Sequence, residues 1–391
     1  MSTPVNDRVM RIVHLTSAHG PFDVRIFHKE CRSLVRAGYE VIEIGNFAFN
    51  GEVDGVTVRG LNRRGGRLQR STVSLIPIAR EALRVSGDLY HLHDLELLFV
   101  GLLLRAAGKK VIYDIHEDLP RTVLFKAYLP QSIRKPLMWA TELAENILAR
   151  QMSGLVAATP ALAERFRRFK SNTIAVNNYV ILDEFTPQPS VTNQSPQLAV
   201  TYYGGMSTER GIHEMLAAVN MLPKDLEVKL ELAGSFYVKQ QQDAVMARAE
   251  WQNVLWHGEL DRAGLASLLK RVRVGLVVLH PHPAYVTSHP TKLFEYMAAG
   301  IPVIASDFPL WRGIVESAQC GLLVNPLDPG AIAAAIERLI TSPDEARRMG
   351  MRGRAAAERQ FNWALEENAL LSFYRSLLPD RSALRVKAAM A

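Results

Sequence analysis

The sequence predicts an α/β protein made of two doubly wound parallel-sheet halves. Three observations point there. Short runs of branched apolar residues alternate with helical stretches from residue 8 to about 180, and a polar, proline-rich stretch then interrupts the pattern. The same alternation restarts at Leu198. A chain of 391 residues also exceeds the usual size of one core. Strand–helix–strand alternation of this kind requires crossover helices and hence a parallel sheet.

In chain order, Arg8 to Ser17 is read as a buried first strand. The loop AHGPFDVR follows, then a helix from Ile26 to Ala37 closed by Gly38, then a strand over Tyr39–Ile44. A strand over Leu89–His93, a helix from Leu95 to Ala107, and a strand over Lys110–Asp114 come next. A long helix covers about Ile133 to Met152, and the strand Gly154–Ala158 leads to Thr159, an N-cap with proline in the first helical position. The stretch from Phe185 to Gln197 has linker composition. The second half reads as strands at Leu198–Tyr203, Val228–Ala233, Trp251–His257, Val274–Leu279 and Pro302–Ala305. Its helices are read at Gly211–Asn220, Leu265–Lys270, Phe294–Ala299, Ala331–Thr341 and Asp344 to about Leu378. The expected domains are therefore 1–185, a linker 186–197, a second domain 198–365, and a C-terminal helix 366–391 that could return to the first domain.

Composition is that of a soluble globular protein, 48% apolar and 22% charged. Cys31 and Cys320 offer neither a disulfide framework nor metal-ligand spacing, which favours a reducing compartment. No apolar signal segment opens the chain, and the longest apolar run, Leu97 to Leu104, is far short of a membrane span. The expectation is a cytoplasmic protein that at most lies on the inner face of a membrane. Residues 1–190 hold 25 Lys and Arg against 19 Asp and Glu, so nearly all of the +7 net charge sits in the first half. Such a half suits an anionic partner or is simply a solvated surface.

Several chemistries lose ground on missing motifs. GxGxxG, GxxxxGK[ST], HExxH and Asp-x-Asp are all absent. Of what is present, Tyr203-Gly204-Gly205-Met206-Ser207-Thr208-Glu209-Arg210-Gly211 opens the second half just after its first strand. Two glycines admit close backbone approach, a helix starts near Gly211, and Arg210 can fork two phosphate oxygens. The segment from Ser288 to Ile304 feeds a loop into a helix that Gly300 stops. Thr291 and Lys292 stand at the helix start, where free N–H groups point outward, and Glu295 follows within one turn, able to accept from a diol. In the first half, His91-Leu92-His93-Asp94 and Asp114-Ile115-His116-Glu117-Asp118 end two strands, which would bring both clusters to one rim. His91 and His93 share a strand face that Asp94 does not, which argues against a metal there. His280, His282 and His289, interleaved with prolines, read as a rigid loop edge, so no metal site is expected.

Together these stretches resemble glycosyltransferase family 4, retaining enzymes of the GT-B fold. TSAHGPFDVRIFHKECRSLVRAGYEV, DLYHLHD and VIYDIHE resemble its acceptor-side half. GGMSTERG, HPTKLFEYMAAGIPVIAS and RRMGMRGRAAAERQFNW resemble its donor-side half. The resemblance implies two Rossmann-like domains facing each other across a cleft. It also implies a nucleoside diphosphate sugar, with a UDP or GDP leaving group, as co-substrate, and no other cofactor. It places Arg210 on the diphosphate, Glu295 on the ribose, and the Thr291, Lys292 and Leu293 backbone on phosphate. Gly204, Gly205 and Gly234 would lie against the donor, Glu259 and Leu260 beside the base, Gly20 in a loop over the diphosphate, and His116 near the transferred sugar. Two positions depart from the family's pattern: Thr287 stands where a Glu is common, and Gly205 where a basic residue is common.

The implied reaction is a metal-independent, hexosyltransferase-like transfer to a glycan or lipid-linked acceptor, as in bacterial surface polysaccharide synthesis. Arg59, Arg63, Arg64, Arg67 and Arg70, and a mixed basic and apolar stretch from Leu124 to Trp139, would suit an anionic membrane carrying that acceptor. Two other readings remain open from sequence: a sugar-nucleotide 2-epimerase of the same architecture, and a non-enzymatic binding protein. Nucleic acid is not an expected partner, because the chain lacks an aromatic-interleaved basic stretch or a recognition-helix motif.

Overall fold

A computed structural model describes residues 9–62, 75–125, 129–185 and 198–378. The linker stretch 186–197, Arg63, Arg64, Arg67, Arg70, Lys126 and residues 379–391 lie outside the described residues. The chain divides into two compact units, Met1–Asn178 with Ala364–Ala391, and Tyr179–Trp363.

The first unit carries an eight-stranded sheet. Its strands are β1 (Arg11–Thr16), β2 (Glu40–Gly45), β3 (Asn50–Val53), β4 (Val56–Gly60), β5 (Leu89–Leu92), β6 (Lys110–Ile115), β7 (Gly154–Ala157) and β8 (Thr173–Ala175). They lie in the order β3-β4-β2-β1-β5-β6-β7-β8. Every neighbour pair is parallel except β3 with β4. Central strands covered on both faces must be apolar almost throughout, and Ile12, Val13 and Leu15 of β1 are each wholly buried. The order reverses between β1 and β5, so the crevice where an α/β sheet binds ligands lies at the ends of these two strands.

Several local features differ from the sequence expectation, β8 and β14 among them as strands it lacked, and three have a clear local cause. First, no strand is expected over residues 50–60, yet β3 and β4 form an antiparallel hairpin there. Asp54 and Gly55 both take positive φ, 52° and 78°, as a tight two-residue hairpin turn requires. Second, the helix after the first loop begins as a π-helix, Val24–Cys31, and becomes an α-helix only over Arg32–Arg36. Asp23 caps it by accepting from the N–H groups of Arg25 and Ile26. Third, the single helix expected from Asp344 to about Leu378 is two, Pro343–Gln360 and Trp363–Leu377. Between them, the Asn362 side-chain amide donates to the carbonyls of Ala357 and Glu358 and so ends the first.

The second unit is a six-stranded, all-parallel sheet in the order β11-β10-β9-β12-β13-β14. Its strands are β9 (Ala199–Tyr203), β10 (Lys229–Ala233), β11 (Val254–Trp256), β12 (Val274–Val277), β13 (Val303–Ser306) and β14 (Gly321–Val324). The strand expected over Trp251–His257 is thus shorter, because a 3-10 turn occupies Ala249–Asn253. The helix Thr291–Ala298 crosses between β12 and β13 and is buried from Leu293 to Ala298. Its Tyr296 ring lies where a Cβ on Gly275 would stand, and its hydroxyl donates to the Thr201 carbonyl at 3.1 Å. The helix Pro343–Gln360 packs behind it through small residues: a Cβ on Gly350 would overlap the Gly300 carbonyl. This unit's order reverses between β9 and β12. The segment after β9 and the helix that follows β12 therefore meet at its switch point.

Candidate active site

In the second unit, β9 ends at Tyr203 and the chain turns through Gly204 at φ +106° and then Gly205. Gly234, at the end of neighbouring β10, has φ +121°, and a Cβ on it would overlap the Gly204 carbonyl oxygen. The two strand ends are in backbone contact, so both positions need glycine for space as well as for conformation. Above Gly204 two cations converge. A Cβ built on Gly204 would stand 3.0 Å from Lys292 Nζ and 4.0 Å from Arg210 Nη1. Arg210 lies 5.5 Å from the Tyr237 ring centroid and 5.8 Å from that of Tyr285, and its Nη1 donates to the Gly205 carbonyl at 3.5 Å. Lys292 faces the Tyr202 and Tyr203 rings at 5.2 and 5.7 Å.

Among the described residues no carboxylate lies within ion-pair distance of Arg210 or Lys292. Burial and the neighbouring Arg210 push the Lys292 ammonium down to about 8, while Glu295 pulls the other way. Arg210 is held above the ordinary guanidinium value: burial opposes its charge, and the hydroxyls of Tyr202, Tyr237 and Tyr285 outweigh that. Pro290, which precedes Thr291, offers no side-chain cap, so the positive end of the helix dipole is uncovered beside the two cations. Two close cations with no carboxylate partner among the described residues, at an uncapped helix start and against a glycine turn, have the charge and geometry to hold a multiply charged oxyanion.

The other expected residues take up positions around it. Leu293, expected to offer its backbone to phosphate, is instead buried under the helix start with its N–H donating to the Pro290 carbonyl at 3.0 Å, because that bond closes the first turn. Glu295 is buried; one oxygen accepts from Arg262 Nη1 at 2.7 Å and the other from the Tyr203 hydroxyl. A carboxylate has about four acceptor sites, so a diol would share Glu295 with those donors. Arg262 is also paired with Glu184. Glu259 accepts from the Ser235 hydroxyl at 2.7 Å, and Leu260 beside it is exposed. Thr287 ends the short helix Pro283–Val286, its hydroxyl donating to the Pro283 carbonyl. His280, His282 and His289 do not converge: His280 pairs with Glu214 at 3.0 Å, His282 accepts from the Ala284 N–H, and His289 lies against Tyr179 and Phe294.

In the first unit, the expected rim of histidines is two layers. His91 and His93 are not on a rim; they are 0% and 3% exposed, beneath the switch point. The reason is register: β5 runs beside β1 with His14 opposite His91, and His93, just past the end of β5, joins them in the core. His14 Nδ1 and His93 Nε2 are 2.8 Å apart. The Asp94 carboxylate accepts from the Thr16 hydroxyl and the Ser17 N–H, tying down the loop after β1. His116 stands above, part-exposed, with Nε2 2.9 Å from Asp114 Oδ2 and 3.3 Å from His93 Nδ1. Arg25 grips both Asp114 oxygens at 2.8 Å, and burial's pull on Asp114 is outweighed by Arg25 and His116, which keep it well below the carboxylate range. Gly20 has open space where a Cβ would be.

Sequence reasoning missed His19, whose ring is 4.9 Å from that of His116. Burial opposes its charge, but Asp23, with Asp94 and Asp114 beyond, raises its pKa. It also missed Arg25, Glu30, His14 and Arg262. A histidine inside an otherwise apolar strand, as in Ile-Val-His-Leu, was the available signal for His14. Two groups have ligand atoms close enough to hold a metal: His14, Glu30, His91 and His93, and the smaller set His93, Asp114 and His116.

Two family models match in tandem. The model described as "Glycosyl transferase 4-like domain" matches residues 6–177, and that described as "Glycosyl transferases group 1" matches residues 185–356. An MMP alpha-(1->4)-mannosyltransferase of Mycolicibacterium hassiacum is 26% identical over 289 residues, 71% of this chain and 68% of that protein. A phosphatidyl-myo-inositol mannosyltransferase of Mycobacterium leprae is 24% identical over 329 residues, 82% of each. The solved Anabaena protein Alr3699/HepE in complex with UDP-glucose has a TM-score of 0.73 at 16% identity, covering 94% of this chain and 100% of that one. With both models matched, each over one α/β half, the chain belongs to the GT-B glycosyltransferases of family 4 type.

Proposed function

We propose that this glycosyltransferase takes a hexosyl group from a nucleoside diphosphate sugar, held by the second unit, and passes it with retention to a glycan or lipid-linked acceptor. The observation that carries this reading is the convergence of Arg210 and Lys292, without a carboxylate partner, over Gly204 beside the uncapped start of Thr291–Ala298. As the bond from the anomeric carbon to the diphosphate oxygen breaks, charge grows on that oxygen. Arg210, Lys292 and the Thr291 and Lys292 amides of the first turn stabilise it, so the charge is met by protein groups. The acceptor oxygen forms its bond on the same face, and its proton goes to a phosphate oxygen of the leaving group. His116, with Nε2 engaged by Asp114, keeps Nδ1 to orient a sugar hydroxyl. The UDP-glucose held by the Anabaena protein supports this class of donor.

A membrane-borne acceptor is supported by an exposed apolar surface on the first unit. Ile76, Leu83, Phe99 and Leu103 line one groove with Arg80. Trp139, Leu143 and Ile147, spaced four apart on Gln131–Arg150, are 65%, 61% and 49% exposed. Among the described residues no helix is long and apolar enough to cross a membrane. The phosphatidyl-myo-inositol named for the Mycobacterium leprae relative is an acceptor of this kind.

The test is a thermal-shift screen over UDP-, GDP- and ADP-sugars, followed by single-turnover assays with the stabilising donor. One donor is expected to raise the melting midpoint of the wild type and leave Arg210→Ala unmoved. An Arg210→Ala protein with unchanged donor binding and turnover would refute the assignment.

A further inference from the structure

We propose that His14, Glu30, His91 and His93 form a buried, closed zinc site behind the His116 centre of the first unit. The four residues come from three elements. His14 lies on β1, His91 on β5 and His93 just past the end of β5, with His14 and His91 directly opposite in the parallel register. Glu30 comes from the π-helix Val24–Cys31. In an α-helix, residues five apart point about 140° from each other. The wider i→i+5 turn of a π-helix brings such residues to one side, and Arg25 and Glu30, five apart, meet at 3.2 Å.

The ligand atoms already span the right dimensions. Tetrahedral zinc with bonds of 2.0–2.2 Å puts neighbouring ligand atoms about 3.4 Å apart. Glu30 Oε2 is 3.5 Å from His91 Nδ1, 3.9 Å from His14 Nδ1 and 3.9 Å from His93 Nε2. His14 Nδ1 and His93 Nε2 are 2.8 Å apart, and all four ligand atoms lie within 4.8 Å of one another. None of the four residues is more than 3% exposed.

A second, independent observation points to a cation. Neither oxygen of the buried Glu30 carboxylate accepts a hydrogen bond. The nearest guanidinium, Arg25, spends its paired N–H groups on Asp114. A buried carboxylate is costly unless it takes up a proton or a cation meets it, and the Arg25 Nε that stands 3.2 Å from Oε1 is shared with Asp114, which leaves Oε2 facing the three imidazoles. The outer partners also fit. Ligating histidines commonly donate their second N–H to a carboxylate, and His93 Nδ1 is 3.3 Å from Asp114 Oδ2. The Tyr374 hydroxyl, from the C-terminal helix of this unit, hydrogen-bonds His91 Nδ1 at 2.6 Å in this structure; on zinc binding it would yield that nitrogen to the ion and accept from His14 Nε2, 3.5 Å away.

Three imidazoles and one carboxylate, with no open position, suit a structural zinc rather than magnesium or calcium. The ion would fix His93 and, through Asp114, the ring of His116. It takes no part in bond making, and its presence is independent of which donor the second unit binds.

The test uses the full chain, produced in zinc-supplemented medium and freed of any affinity tag. Elemental mass spectrometry after gel filtration is expected to give close to one zinc per chain. Chelator-treated protein should show the intense visible bands of tetrahedral cobalt(II) on titration with that metal. Glu30→Gln and His91→Gln should each lower retained zinc at least tenfold, whereas His116→Gln should keep it. Should the ligand variants fail to fold, the wild type decides. Its melting midpoint should fall on chelation and recover with zinc but not magnesium. Wild-type protein with neither zinc nor a tetrahedral cobalt spectrum would overturn the proposal. So would ligand variants that retain zinc as the wild type does, or a midpoint that chelation leaves unmoved.

Discussion

Lys292 gives donor binding a pH dependence that can be worked out in advance. Burial and Arg210 hold its pKa in the free protein down to about 8. A bound diphosphate places negative charge beside the ammonium and raises that pKa. Below pH 8 the lysine is already charged and affinity is flat. Above pH 8 binding must take up a proton, so affinity falls as pH rises through the free-protein value, until the bound-state value is reached. At pH 7 about nine-tenths of the lysine is protonated and at pH 9 about one-tenth. Donor affinity should therefore fall roughly tenfold over that interval, or about 1.4 kcal/mol. A sugar-linked diphosphate has no proton to lose in this range, and any titration of the base is shared by all variants. Calorimetric titration at pH 7, 8 and 9 is the assay, with Lys292→Arg as the internal reference, since a guanidinium stays charged throughout. The expected result is a wild-type affinity that drops tenfold relative to the Arg variant. Lys292→Met should bind weakly at every pH. A wild-type protein whose affinity runs parallel to that of Lys292→Arg would refute the reasoning.

Other perturbations have equally definite outcomes. Gly234→Ala places a methyl group on the Gly204 carbonyl in a backbone conformation that L-residues avoid. It should lower stability by about 2 kcal/mol or more in urea unfolding and abolish donor binding. Arg25→Met leaves the buried Asp114 without its bidentate partner. A loss of about 3–5 kcal/mol in urea unfolding is expected, whereas a change under 1 kcal/mol would show that Asp114 is held by other means. Trp139→Gln with Leu143→Gln removes two exposed apolar side chains from one helix stripe. Co-sedimentation with anionic vesicles at low salt should drop several-fold, with turnover of a soluble acceptor unchanged.

Much of the layout was legible because parallel strands buried on both faces must be nearly continuous apolar runs, and Leu276–Leu279 and Val303–Ala305 are such runs. Strand ends followed by glycines, and helix starts with Thr-Lys, could be read locally, and the structure does bring Gly204, Arg210 and Lys292 together. The β3–β4 hairpin was missed although Val53-Asp54-Gly55-Val56 carries its turn signal, because the flanking strands are short and one of them, Asn50–Val53, is largely polar. Tertiary pairings were beyond local reading. Glu295 is met by Arg262, 33 residues earlier. His14 and Glu30 reach His91 and His93 only through sheet register and a π-turn, which no spacing in the chain announces.

A nucleoside diphosphate and its nucleoside monophosphate, titrated side by side into wild type and Arg210→Ala, probe the anion grip most directly. In the wild type the second phosphate should add at least tenfold to affinity, and in Arg210→Ala most of that increment should vanish. Equal affinities for the two nucleotides in the wild type, or an increment that survives the loss of Arg210, would contradict a diphosphate held between Arg210 and Lys292.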